Sequence, residues 1–242
     1  MRHVSVTQAQ KYLDCGRRWW FEYVAREKSP PTLAQTAGQE IHTAIEGWLE
    51  RGEWSDQIAH IVPLLPPPGE GWYTCEVPIS PVASPNRERR ASEPPPLGDL
   101  RPCGVPLIGY VDLVVREAGG KLPVGVYDFK TTGRASYLLS AAAVARTLQM
   151  GVYAHVFLTA HPDLAGCAVG HLGIPPSKDG PPRWAIGHIG RSEAAAAYAR
   201  VEAAVAEMLR DETAGNPFVV RAERSFCSRY GGCPHRGTCA KG

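Results

Sequence analysis

The sequence has no uninterrupted apolar run near the roughly 18 residues that a membrane-spanning helix needs. Its opening segment, MRHVSVTQAQKYL, lacks the apolar core of a secretory signal. These two absences lead to the expectation of a cytoplasmic protein. A charge excess is also missing. The 26 Lys and Arg against 24 Asp and Glu leave a formal net charge of +2, far from the basic balance of a protein that grips a polyanion by bulk electrostatics, so any polyanion site must be local. No internal repeat is visible. The seven cysteines are an odd number, and without an export signal a disulfide framework is disfavoured, which leaves metal ligation or free thiols. What is present is an ordinary globular composition, 242 residues with 44% hydrophobic content, enough to bury a sizeable core.

Local signals place the elements. Ser5 followed by Gln8 has the capping-box pattern and predicts a helix to about Leu13. Ile41, Ile45, Trp48 and Leu49 recur at helical spacing, predicting a helix over 33–49 that Gly52 ends. Between Pro63 and Pro106 lie more than half of the chain's 22 prolines, so loops and edge-type strands are expected there, one of them in GWYTCEVPIS. The charged stretch NRERRASEPPP reads as an exposed loop. Two apolar strands flank a Gly-Gly turn in PLIGYVDLVVREAGGKLPVGVYDFKTTG, a hairpin signal. The spacing then predicts one long helix over 137–160, strands in GCAVGHLGIP and RWAIGHIG, and a last helix from Glu193 to about Thr213 with Ser192 as N-cap and Gly215 beyond its end. The order implies an α/β core with a mixed sheet flanked by helices and terminal segments added outside it.

The hairpin carries the chemistry. Asp112 lies on its first strand, and Asp128 and Lys130 share a face of its second, so both carboxylates can meet at about 5 Å cross-strand spacing. Two acids and an ammonium at the end of an apolar segment are costly to desolvate. A hard divalent ion with oxygen ligands offsets that cost, and a buried Asp-Lys ion pair is the plain alternative. His42 shares a helix face with Gly38, Ile45 and Leu49, and Gly38 permits a close approach that could deliver the imidazole to the hairpin. Gln149 and Tyr153, four apart on the long helix, present polar tips on one face. Glu76 sits on a strand expected to neighbour the hairpin, where the readings are a minor active-site carboxylate and, as the expectation, an ordinary surface acid.

In that order, GQEIH, GYVDLVV, YDFKTTG and LQMGVY resemble the PD-(D/E)XK nuclease superfamily. They are most similar to its RecB-like exonucleases, including the nuclease domain of the AddB helicase subunit and the CRISPR-associated spacer-processing nucleases. The resemblance implies a restriction-endonuclease-like α/β core over about 33–214 within a single domain of 1–242. It implies Mg or Mn held by His42, Asp112, Asp128 and the main-chain carbonyl of Phe129, with Lys130 positioning the attacking water and Gln149 and Tyr153 touching DNA. Val111 stands where the name motif has proline.

The termini add a second cluster. FCSRYGGCPHRGTC holds Cys227, Cys233 and Cys239 in a C-x5-C-x5-C pattern that calls for a metal. The resemblance to the iron-sulfur RecB-like enzymes implies closure by Cys15 and a [4Fe-4S] cluster joining 1–30 to 215–242. Relatives carry a shorter first gap than SRYGG here, and zinc held by the three cysteines with His235 or Cys15 is the rival. Cys75, Cys103 and Cys167 read as packing. Arg17 and Arg18 with Trp19, Trp20 and Tyr23 mix charge and rings as single-stranded DNA channels do. A wedge packed on the cluster is the other reading of them, with one tryptophan left free for DNA. The sum is a metal-dependent DNA exonuclease preferring single strands, in recombination, repair or phage DNA processing, with recombination or CRISPR-type partners. The alternative is a non-catalytic nucleic-acid-binding module.

Overall fold

The computed structural model describes residues 1–27, 30, 32–83, 93–228 and 232–239. Residues 86–92 of the charged loop and 229–231 of the spacer after Cys227 lie outside them. A short strand β1 (Val4–Ser5) leads into α1 (Val6–Asp14), then α2 (Gly16–Trp19) and a π-helical turn over Trp20–Val24. The predicted capping box is there: Gln8 N donates to Ser5 Oγ at 3.2 Å and Ser5 N to Gln8 Oε1 at 2.9 Å. A second box, Thr32 with Gln35, starts α3 (Leu33–Arg51), which ends at Gly52 with φ of 68°.

The strands β2 (Tyr73–Pro78), β3 (Leu107–Ile108), β4 (Tyr110–Val115) and β5 (Gly125–Thr131) follow. Helices α4 (Ala141–Ala145) and α5 (Leu148–Ala160) then cross to β6 (Gly166–Ile174), β7 (Arg183–Gly190), α6 (Arg191–Ala214) and α7 (Arg236–Cys239). Five strands form one sheet in the order β2-β4-β5-β6-β7. Within this sheet the described pairs are antiparallel except β5 with β6, which the α4–α5 crossover joins in parallel, and β1 pairs with β3 in parallel apart from it. On one face β5 and β6 bury Val126, Cys167 and Val169 with α1, α5 and α6. On the other, Tyr127, Phe129 and Leu172 pack under α3. This is the expected mixed α/β core. No helix is long and apolar enough to cross a membrane among the described residues.

Two predicted boundaries move. The stretch expected to be one helix over 137–160 breaks in two, because Ser140 and Thr147 each cap a new start, at Ala143 N and Met150 N, both 3.3 Å away. A hydroxyl that satisfies amide donors in this way competes with helix continuation. The last helix begins at Arg191, with Gly190 rather than Ser192 at its cap. Gly190 N donates to Glu193 Oε2 at 2.9 Å, and the Arg191 side chain is tied to the Leu164 and His161 carbonyls. Cys103, expected to be packing, is exposed in a left-handed turn with φ of 50°.

The terminal segments lie together. Arg17 N donates to Arg221 O at 3.0 Å and Arg221 Nη2 to Leu13 O at 2.7 Å. Met1 N pairs with Glu212 Oε2 at 2.5 Å. Direct hydrogen bonds thus join the two ends of the chain.

Candidate active site

The pairing of β2 with β4 contains an irregularity that makes the site. Residues two apart on a strand share a face, yet Cys75 and Leu113 belong to the core under α3, while Val77 and Val111 belong to the core under α5. The switch falls on Glu76 in β2 and Asp112 in β4, the residues between those register partners. Glu76 takes φ of 49°, a left-handed backbone that a non-glycine residue rarely adopts. The twist turns both acids toward a cleft of about 730 Å³, lined also by His42, Glu46 and Thr131. Glu76 therefore forms part of the cleft wall, the less expected of its two readings.

Asp112 is 9% exposed and Asp128 2%. Asp112 Oδ2 accepts from Phe129 N at 2.7 Å, which locks β4 to β5 where their regular pairing has ended at Tyr127. Burial pushes the Asp112 carboxyl well up, and Asp128 and Glu76 push in the same direction. Asp128 Oδ1 accepts from Gln149 Nε2 at 2.9 Å. Lys130 Nζ stands 2.6 Å from Asp128 Oδ2, yet that buried oxygen has no aligned hydrogen bond; the contact is an ion pair without directed geometry.

His42 Nδ1 lies 3.6 Å from Asp112 Oδ2. Burial lowers the imidazole pKa, outweighing Asp128 and the Phe129 backbone, which raise it. The ring is thus kept in the neutral form that ligates metals. Its helix comes close because Gly38 has no side chain: a Cβ there would stand 2.6 Å from Thr131 Oγ1. Gln149 Nε2 also donates to Tyr153 Oη at 3.0 Å, and Tyr153 Oη donates to Tyr110 O at 2.8 Å. Burial, with Asp128 and Asp112 nearby, pushes the Tyr153 phenol far up, so it stays a donor.

The structure thus brings together Asp112, Asp128, Lys130, His42, Phe129, Gln149 and Tyr153. The donor chemistry, two buried carboxylates with an imidazole beside one of them, suits a hard divalent ion. Even so, no group of three or more His, Cys, Asp or Glu among the described residues stands close enough to hold an ion. Protein donors occupy the acids instead: Lys130 and Gln149 on Asp128, and the Phe129 amide on Asp112. Glu46 was missed. It lies one turn beyond His42, and an i, i+4 reading along α3 would have found it.

At the termini, Cys15, Cys227, Cys233 and Cys239 line one small cavity with Arg18, Phe21 and His235. Glu223 N donates to Cys15 Sγ at 3.4 Å and Arg17 Nη1 to Cys239 Sγ at 3.5 Å. Such donors suit thiolates. Burial raises the Cys233 thiol. His235 is 6% exposed and stacks on Phe21 at 5.1 Å, with Nε2 buried and lacking a hydrogen bond. Both arginines have protein partners: Arg17 lies 5.3 Å over the Phe218 ring, and Arg18 Nε donates to Glu22 Oε1 at 2.8 Å. Trp19 is buried against Tyr12 at 5.3 Å. Trp20, the other of the two adjacent tryptophans of which one is expected to be free for DNA, is half-buried and packs on the core at the start of the π-helical turn.

Fold and site together define a nuclease-type α/β protein with an acid-acid-lysine centre. The PD-(D/E)XK nuclease superfamily model matches residues 3–240, and this chain belongs to that family. Its fold resembles that of a candidate exonuclease from Eubacterium rectale, with a TM-score of 0.51 and 12% identity over 89% of this chain and 83% of that one. The protein SSO0001 is similar with a TM-score of 0.42 and 16% identity over 86% of this chain and 76% of that one. No curated protein matches the sequence significantly.

Proposed function

We propose that this chain is an Mg- or Mn-dependent DNA exonuclease that prefers single-stranded ends. The observation that carries the reading is the buried pair Asp112 and Asp128 with Lys130 beside it, Asp112 opening on the cleft, in a member of a nuclease family. A divalent ion at Asp112, Asp128, His42 and the Phe129 carbonyl would supply Lewis-acid polarisation of the phosphoryl oxygen and a water of lowered pKa.

The chain's own residues do the rest. Lys130, its side chain 42% exposed, lies beside Asp128 near the sheet end, where its ammonium orients the attacking water and offsets charge developing on the phosphoryl oxygens. Gln149 and Tyr153 stand behind Asp128 and position it. The DNA contact that the family resemblance implies for them would require Gln149 to turn away from Asp128. Arg17 and Arg18 are assigned to the cysteine cavity rather than to DNA, given their contacts with Cys239, Phe218 and Glu22.

For that cavity we favour a [4Fe-4S] cluster on Cys15, Cys227, Cys233 and Cys239, since four thiols share it and a cubane spreads its ligands instead of gathering them on one point. A structural zinc is the second reading, favoured by the unpartnered His235 Nε2 in the same cavity. A visible absorbance band with iron and labile sulfide selects the first; a colourless zinc protein selects the second.

The nuclease reading is tested with end-labelled single- and double-stranded DNA and a circular single strand, in Mn or Mg. Linear single strands should be digested and circles spared. Asp112→Ala, Asp128→Ala and Lys130→Ala should each abolish digestion while the fold persists by circular dichroism. Digestion unchanged in all three variants would overturn the site.

A further inference from the structure

Lys130 also lines a pocket of about 520 Å³, whose other residues the proposed chemistry does not use. Its position follows from the strand register. Asp128 pairs with His171 and His171 with Ala185, while Lys130 pairs with Gly173 and Gly173 with Arg183. Register partners share a face, so Lys130 and Arg183 stand two strands apart, about 10 Å, with a glycine between them. At Gly173 a Cβ would come within 2.4 Å of Leu138 Cδ2, so the missing side chain lets Leu138 lie on the sheet and form an apolar floor between the two cations.

Three further observations define what the pocket accepts. Tyr137 and Leu139 are 59% and 41% exposed at its rim, large apolar groups left uncovered on one short segment. His171, in its wall, is only 8% exposed, yet its Nε2 is buried with no hydrogen-bond partner. Arg183 is exposed, and among the described residues no carboxylate pairs with it. An aromatic edge, an apolar floor, a buried polar atom and a cation on each flank suit a planar base on a sugar-phosphate chain.

We propose that this pocket seats the nucleotide adjoining the scissile phosphate, with Arg183 on the next phosphate, Tyr137 against the base and His171 hydrogen-bonded to the base or sugar. The proposal deepens the nuclease reading and rests on Lys130 marking the scissile position. It makes single-strand preference a property of the pocket, because a base must leave its stack to reach Tyr137.

The test is an anisotropy titration of a dye-labelled single-stranded oligonucleotide with the full chain in EDTA, so binding is read without cleavage. Arg183→Ala and Tyr137→Ala should each weaken binding about five- to fiftyfold, and Arg183→Ala should also flatten the log-log salt dependence by about one phosphate contact. Arg116→Ala, at the opposite end of the sheet, controls for loss of one positive charge. In cleavage assays the same two variants should raise KM with kcat within about twofold. Wild-type affinity and salt slope in both variants, or a loss matched by Arg116→Ala, overturns the pocket while leaving the nuclease reading intact. A wild-type chain that binds through Arg183 and Tyr137 but cleaves nothing overturns the nuclease reading and keeps the pocket.

Discussion

Lys130 Nζ stands 2.6 Å from Asp128 Oδ2, occupying the oxygen that a cation would otherwise claim. Lysine and metal therefore compete for one carboxylate. Removing the ammonium should separate binding from chemistry: Lys130→Ala binds Mn more tightly than wild type in calorimetry, yet digests DNA at least about 100-fold more slowly. Equal or weaker Mn affinity in that variant would show that Lys130 does not occupy the ion's site.

The approach of α3 to β5 hangs on one missing side chain. Gly38→Ala places a methyl 2.6 Å from Thr131 Oγ1 and pushes His42 away from Asp112. The variant should lose about 1–3 kcal/mol of stability and much of its activity. Because Thr131 Cβ is an ordinary 3.7 Å from the added methyl, the pair Gly38→Ala with Thr131→Ala should recover both. Absence of rescue in denaturant melts would place the strain elsewhere.

Tyr153 holds Gln149 against Asp128 and closes the Tyr110 carbonyl. Tyr153→Phe keeps the ring and removes the hydroxyl from a buried site, an expected cost of about 1–3 kcal/mol. If Tyr153 positions Asp128, the variant also weakens Mn binding in calorimetry. A stability loss with wild-type Mn affinity would confine the hydroxyl to a structural role.

Burial alone would raise the Glu22 carboxyl, but hydrogen bonds from Lys11 and Arg18 outweigh it and hold its pKa below the ordinary value. A depressed folded pKa contributes stability above the unfolded value, near 4.3, and that stability is lost as pH falls through the folded pKa. Glu22→Gln should therefore cost about 1–3 kcal/mol at pH 7, and the gap to wild type should narrow steadily on acidification below pH ~4. A gap constant with pH would mean that the carboxylate's charge contributes nothing.

The cysteine cavity should make thermal stability depend on its metal. A group present at 100 times its Kd stabilises by about 2.7 kcal/mol, which corresponds to roughly 5–10 °C in a chain of this size. Cys15→Ser or exhaustive chelation should lower Tm by about that amount. An unchanged Tm would show that hydrogen bonds such as Arg17 N to Arg221 O already suffice to join the termini.

Much of this was legible locally. The Ser5–Gln8 box, the stops at Gly52 and Gly215 and the apolar strands of the hairpin each depend on neighbours within a few residues. Asp128 and Lys130 were readable as partners because two residues apart on a strand share a face. The breaks at Ser140 and Thr147 were readable in principle, as hydroxyls ahead of free amides, but the Ala-rich run between them masks the signal.

The sequence by itself determined the element types, the alternation that buries one face of each strand, and the acid-acid-lysine set with its histidine, because these follow from side-chain chemistry and short-range periodicity. Only the tertiary structure decided that Glu76 and Asp112 turn into the cleft, since the switch of faces arises where the pairing of two strands is interrupted at one position without a change of register. It also decided that Gln149 and Tyr153 brace Asp128, and that Arg183 stands in line with Lys130. Those contacts join residues far apart in the chain, and no local pattern encodes which strand lies beside which.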